Sequence, residues 1–258
     1  MLRFRNLGSG SSGNSTLVEG TSGTATSRLL IDCGLGIRTL EKRLGAAGLG
    51  HGDIDAIFIT HEHSDHIGCA QQLAVRHRIP VWMSEGTFAA IGAPDFDGLL
   101  RIAHDLHAVA LGGFEFRPFT VPHDAREPLQ LRCSDGARHL GVATDLGHAS
   151  GHVMAQLEGC HALMLESNHD PELLAQSRYP DFLKRRVSGR FGHLANGAAA
   201  DMAQALRHEG LQCVVAAHLS ERNNHPDLAR AGLAGALGWD ADQIVVADPR
   251  HGTEWLAV

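Results

Sequence analysis

Apolar and polar positions along this chain fall in short blocks whose period keeps changing. Residues 2–7 alternate at period two, as a half-buried strand does, and the Gly-Ser-Gly-Ser-Ser-Gly-Asn run at 8–14 predicts a loop. An extended pattern resumes at 15–18, and another strand is expected at 28–31, closed by Asp32-Cys33-Gly34. Over 37–47, Leu40 and Leu44 share one face of an expected helix. Residues 54–60 form an apolar, β-branched run of the buried-strand kind, which leads into a histidine cluster. A helix at 67–77 and a strand at Val81–Met83 follow. The second half predicts strands at 114–121, 129–133, 139–144, Ala162–Glu166, 214–218 and 243–247. Helices are expected at 171–177, 196–209 and Pro226–Leu237. Strand-rich halves with helices between them predict an α/β architecture of layered sheets covered by helices.

At 258 residues, 43% of them apolar, the chain is long enough for a substantial core. With no linker-like stretch, repeat or low-complexity segment, a single domain over 1–258 is expected. A formal charge of -7 argues against coating nucleic acid by bulk charge, while leaving room for a local basic patch. The five cysteines are scattered and form no C-x-x-C, which argues against a disulfide framework or a thiolate zinc cluster. The first residues lack the apolar core of a signal peptide, and no apolar run reaches membrane-spanning length. The cytoplasm is the expected location, with no membrane partner.

The unusual count is eighteen histidines against one tyrosine. Four ligand-type residues, His61, His63, Asp65 and His66, stand within six positions at a strand exit. In extended backbone His61 and His63 point to the same side; Asp65 and His66 follow once the chain has turned and can face a neighbouring point. Other apolar strands also end in ligand-type residues: His123, Asp145 and His218. Together these predict two divalent-metal sites. His61, His63 and His123 would hold one ion, Asp65, His66 and His218 the other, and Asp145 would lie between them. Nitrogen and oxygen ligands without thiolate suit zinc, manganese or iron, and ligand type does not choose among them.

H-x-H-x-D-H followed by isolated His, Asp and His resembles the metallo-β-lactamase superfamily over nearly the whole chain. The segments Gly10-Ser11-Ser12-Gly13-Asn14-Ser15, Ala143-Thr144-Asp145-Leu146-Gly147-His148, Leu165-Glu166-Ser167-Asn168-His169-Asp170, Gly192-His193-Leu194 and Ala217-His218-Leu219-Ser220 look like its YycJ/WalJ branch. The resemblance implies a four-layer αβ/βα sandwich of two mixed sheets flanked by helices. It also implies a phosphodiesterase or nuclease related to RNase Z, with 5′-to-3′ DNA exonuclease activity. By the same resemblance His193 would protonate the leaving group, oriented by Glu166 or His169; Asp65 and Asp145, beside the expected metals, would orient the water. One departure is Ala195, where the branch pattern leads one to expect serine.

Lys184, Arg185, Arg186 and Arg190 form a basic stretch ahead of His193, which either holds substrate phosphates or makes a solvated helix face. The expected substrate is nucleic acid, DNA in particular. A small cyclic phosphodiester, a lactone or a thioester stays open, because activated water also attacks carbonyls; a binding module with a degenerate site is the non-enzymatic alternative. Oligomeric state is not legible in the sequence.

Overall fold

The computed structural model describes residues 1–258. The first sheet takes β1 (Leu2–Gly8), β2 (Ser15–Ser22), β3 (Ala25–Ile31), β4 (Ala56–Phe58), β5 (Val81–Met83) and β6 (Leu100–Ile102). The second takes β7 (Val109–Leu111), β8 (Phe114–Thr120), β9 (Leu129–Ser134), β10 (His139–Ala143), β11 (Ala162–Glu166), β12 (Cys213–Ala217) and β13 (Ile244–Val246). The last strand, β14 (Leu256–Ala257), returns to pair with β1. Sheet orders are β14-β1-β2-β3-β4-β5-β6 and β13-β12-β11-β10-β9-β8-β7. Each sheet joins an antiparallel meander to a parallel run, β3 to β6 in one and β10 to β13 in the other.

Three apolar layers separate four layers of backbone. The middle one packs sheet on sheet: Phe4, Leu29 and Phe58 meet Phe116, Leu131 and Met164, and the Phe58 and Phe116 rings cross edge to face at 5.8 Å. Leu17, Leu30, Ile57 and Ile59 face the other way, onto the helices α1 (Ile37–Ala46), α2 (Ser64–Ile67), α3 (Ala70–His77) and α4 (Glu85–Ala90). Behind the second sheet, Leu163, Leu165, Val214 and Ala216 pack against α5 (Gly151–Leu157), α8 (Asn196–Ala205) and α9 (Pro226–Leu237), with Val153, Met202 and Leu233 among their partners; the short helices α6 (Pro171–Gln176) and α7 (Asp181–Val187) stand outside this cluster. Strands buried on both faces have no polar positions to alternate with, hence the continuous apolar runs of β11 and β12. In β1 the period-two alternation puts Leu2 and Phe4 in the middle layer and Leu7 in the outer one, and the register shifts between Asn6 and Gly8.

The expected helix over 67–77 is two helices. The chain breaks at Gly68 (φ +29°), where the backbone lies against Cys33 so closely that a side chain would collide with the Cys33 carbonyl. Short elements with few apolar residues, α4, α5, α7, β6, β7 and β14, escape the periodicity reading. No helix is long and apolar enough to cross a membrane.

Parallel strands align their carboxyl ends, and this sets the site. Asp32 and Thr60 follow β3 and β4, while His123, Asp145, Glu166 and His218 follow or close β8, β10, β11 and β12. The Leu129 N–H donates to the Thr60 carbonyl at 2.9 Å, tying this edge of one sheet to the other.

Candidate metal centre

The edge gathers all seven sequence-predicted ligands. His61 Nε2 lies 3.0 Å from His63 Nδ1, which lies 3.3 Å from His123 Nε2. On the other side, Asp65 Oδ2 lies 3.6 Å from His66 Nε2 and 3.7 Å from His218 Nε2. Asp145 spans the two groups: Oδ2 is 3.3 Å from His66 Nε2 and Oδ1 is 3.9 Å from His123 Nε2. Each triad brings its donor atoms within 4.8 Å of one another, a spacing that could hold a metal ion.

The ring nitrogens facing away from the cluster are already engaged. His61 Nδ1 meets Thr60 Oγ1 at 3.0 Å, His123 Nδ1 meets the Gly192 carbonyl at 3.1 Å, and His66 Nδ1 meets Asp32 Oδ2 at 2.8 Å. His218 Nδ1 meets Glu166 Oε1 at 2.9 Å. Such contacts fix tautomer and orientation and leave Nε2 as the inward donor. Two inward atoms, Asp145 Oδ2 and His218 Nε2, are buried with no hydrogen-bond partner. A buried polar atom without a partner is costly, and a divalent cation satisfies both kinds at once. All donors are nitrogen or oxygen, and the residues present fit such an ion.

Charges interlock here. Burial opposes ionisation of Asp145, but His218 and His66 outweigh it and hold its carboxyl well below the usual range. Burial likewise opposes protonation of His218, yet Asp145, Asp65 and Glu166 push it up to about 10. Glu166 is fully buried, yet His193 and His218 draw its carboxyl down to about 2. Burial lowers His61 and His123 below the ordinary histidine range. Three residues of this edge, Asp32, Asp145 and His218, have φ of +62°, +54° and +55°. That region is uncommon for residues with a side chain, and its cost of about 1–3 kcal/mol each is borne by the surrounding structure.

His193 stands at the rim, its Nδ1 2.8 Å from Glu166 Oε1 and 3.7 Å from Asp145 Oδ1. Burial works against a charge on it, but Glu166 raises its pKa. The other candidate orienting residue, His169, is buried and makes no hydrogen bond to His193; its Nδ1 is unpartnered. Glu166 therefore makes the orienting contact. Of the basic stretch, Arg186 alone lines the cleft over the cluster, beside Ser11 and Ser64, with Nε 2.5 Å from Asp124 Oδ2. Lys184 donates to the Ala175 carbonyl at 2.6 Å, while Arg185 and Arg190 are exposed.

The chain matches the model of the beta-lactamase superfamily domain over residues 27–218. It is 36% identical over 242 residues to exodeoxyribonuclease YycJ of Bacillus anthracis, covering 92% of this chain and 89% of that one. This chain belongs to the metallo-β-lactamase superfamily. Within the superfamily it is also 30% identical to exodeoxyribonuclease WalJ of Streptococcus pneumoniae, over 91% of this chain and 88% of the other. The metallo-β-lactamase fold protein YhfI of Bacillus subtilis superposes over the full length of both chains with a TM-score of 0.76 at 16% identity. The two facing seven-stranded sheets with outer helices are this superfamily's sandwich, and the chain is a metal-dependent hydrolase.

Sequence reading missed several supports. Asp32 accepts from both the Thr60 N–H (2.9 Å) and its hydroxyl (2.9–3.0 Å), besides contacting His66. It obeys the same rule as the ligands, an ionisable residue directly after a buried strand, so the signal was present. Asn14 places its amide nitrogen 3.0 Å from His66 Nε2 and 3.3 Å from Asp65 Oδ2; Asp124, 3.5 Å from His123 Nε2, borders the other side. Asn14 stands in the glycine–serine loop and Asp124 beside His123, but neither place by itself shows a contact with the cluster.

Proposed function

We propose that this chain, acting as one domain, is a two-metal phosphodiesterase that degrades DNA from a 5′ end. The observation that carries the reading is the placement of His193, a histidine held by a buried carboxylate at the rim of two adjoining ligand triads. Phosphodiester hydrolysis expels an alkoxide, which needs a proton in the transition state, and an imidazole whose protonated form Glu166 favours against its burial is suited to supply one. Thioester hydrolysis would use the same cluster but expels a thiolate, which has less need of that donor, whereas a lactone expels an alkoxide and shares the need. Likeness to chains named exodeoxyribonuclease over nine-tenths of the length supports the polymer substrate.

His61, His63 and His123 would hold one ion and Asp65, His66 and His218 the other, with Asp145 reaching both. When bound, zinc, manganese or iron supplies Lewis acidity, which activates water near neutral pH and offsets charge on the phosphoryl oxygens. Asp65 and Asp145 orient the attacking water, and Ser11 and Arg186 face a substrate phosphate from the cleft wall. Arg185 and Arg190 are exposed, and with Lys184 they would meet phosphates further along the strand. All five cysteines are free thiols, which suits a reducing compartment such as the cytoplasm.

The test is a labelled 5′-phosphorylated duplex with Mn²⁺. Stepwise loss from the 5′ end is expected; an intact duplex in the presence of fully metallated protein would sink the reading. The cleft over the cluster is only about 290 Å³, which also suits a small cyclic phosphodiester. Turnover of cyclic mononucleotides without polymer cleavage would favour that alternative.

A further inference from the structure

The cleft over the histidine–aspartate cluster continues into a second cavity of about 170 Å³, with which it shares Ser11, Arg186 and His193. Their walls differ in kind. No apolar residue lines the cleft, whereas the smaller cavity adds Leu183, Val187 and Tyr179, the only tyrosine in the chain, to Asp124, Gly192 and the three shared residues. Leu183 and Val187 stand one turn apart on α7 and turn the same face inward; Phe182, the residue before Leu183, is 66% exposed. The one guanidinium at the cavity, Arg186, is already paired with Asp124 at 2.5 Å. A second phosphate is therefore a poor occupant. Sites for drug-sized ligands start at about 300 Å³, so this space is the size of one ring system.

We propose that the cavity takes the nucleobase of the 5′-terminal nucleotide, stacked on Tyr179 against Leu183 and Val187. The inference rests on the phosphodiesterase reading above and adds which part of the strand lies where. In the hydrolytic step water forms a new O–P bond, the P–O3′ bond breaks, and His193 gives its proton to the departing O3′; the water's proton restores the site. The nucleoside that leaves through O3′ therefore sits on the His193 side of phosphorus. In digestion from a 5′ end that nucleoside is the terminal one, and the shortened strand keeps the new 5′-phosphate. The cavity that adjoins His193 is where its base falls, and the small volume limits each cycle to one nucleotide.

Two 5′-phosphorylated duplexes that differ only in whether the first nucleotide carries a base or is abasic test this directly. Wild-type kcat/KM should favour the base-bearing duplex by about tenfold, the effect of one base–aromatic stack. Tyr179→Phe should keep that preference, and Tyr179→Ala should reduce the ratio to about one, with thermal melting confirming that each variant folds. Equal cleavage of both duplexes by the wild type would overturn the cavity assignment and leave the hydrolytic reading standing. Loss of the preference in Tyr179→Phe would show hydroxyl recognition and overturn stacking. Cleavage of neither duplex would remove both proposals together.

Discussion

His193 and His218 share a single acceptor: Glu166 Oε1 lies 2.8 Å from one Nδ1 and 2.9 Å from the other. The second oxygen of Glu166 accepts from the Leu146 and Leu194 N–H groups at 2.9 and 3.1 Å, so the carboxylate cannot rotate away without losing four contacts. A residue proposed to hold metal and one proposed to move a proton are thereby kept in fixed relation.

That relation separates two substitutions. His193→Ala should leave metal content unchanged and lower kcat by about 10²–10⁴-fold, the usual worth of a general acid. His218→Ala should lose metal and activity together. Metal analysis beside steady-state kinetics distinguishes the two, and loss of metal in His193→Ala would contradict the assigned roles.

Asp32 reaches the cluster only through Thr60 and His66. Asp32→Ala should weaken metal binding by about 10–100-fold, as loss of an outer hydrogen-bonding partner does, while every proposed ligand remains. Chelator competition measures it; unchanged affinity would make Asp32 a structural residue alone.

Metal binding should release protons. His218, pushed up to about 10 by Asp145, Asp65 and Glu166 against its burial, carries a proton at pH 8 in the metal-free chain. His66 shifts the same way, raised by Asp145 and Asp32 against its burial. For groups raised in the folded state, the added stability is fully present below about pH 6.5, the unfolded value, and declines as pH climbs toward 10. Because the ion displaces these protons, its affinity rises over the same window. The gap in melting temperature between metal-loaded and metal-free protein should therefore widen from pH 6.5 to 9. Calorimetric heats should also vary with the ionisation enthalpy of the buffer.

Ala195 is the N-cap of α8, with φ and ψ of -71° and 155° and no side-chain cap. Ala195→Ser offers a hydroxyl to the free N–H groups of the first turn and should stabilise the fold by about 1 kcal/mol. For a chain of this length that is a rise of about 2–4 °C in melting temperature. No rise would mean that the hydroxyl is held elsewhere.

The site was more legible in the sequence than the elements around it. His61, His63, Asp65 and His66 are adjacent in the chain, and His123, Asp145 and His218 each follow an apolar run, so local pattern alone reveals them. Asp32 obeys that rule too, and its part shows only when the fold brings Thr60 and His66 onto it. Asn14 and Asp124 reach the cluster through loops whose course only the packed sheets determine. Helix α7 reads as a charge run because only Leu183 and Val187 face inward, and the difference between Arg186 and its basic neighbours is one of helix phase. The break at Gly68 answers to the Cys33 backbone, thirty-odd positions earlier, which no local window contains.

The left-handed backbone at Asp32, Asp145 and His218 has a consequence for substitution. At each position glycine would relieve the conformational cost, yet it brings no carboxylate or imidazole. Glycine variants there should therefore strip the chemistry from the edge while costing the backbone less than alanine variants do.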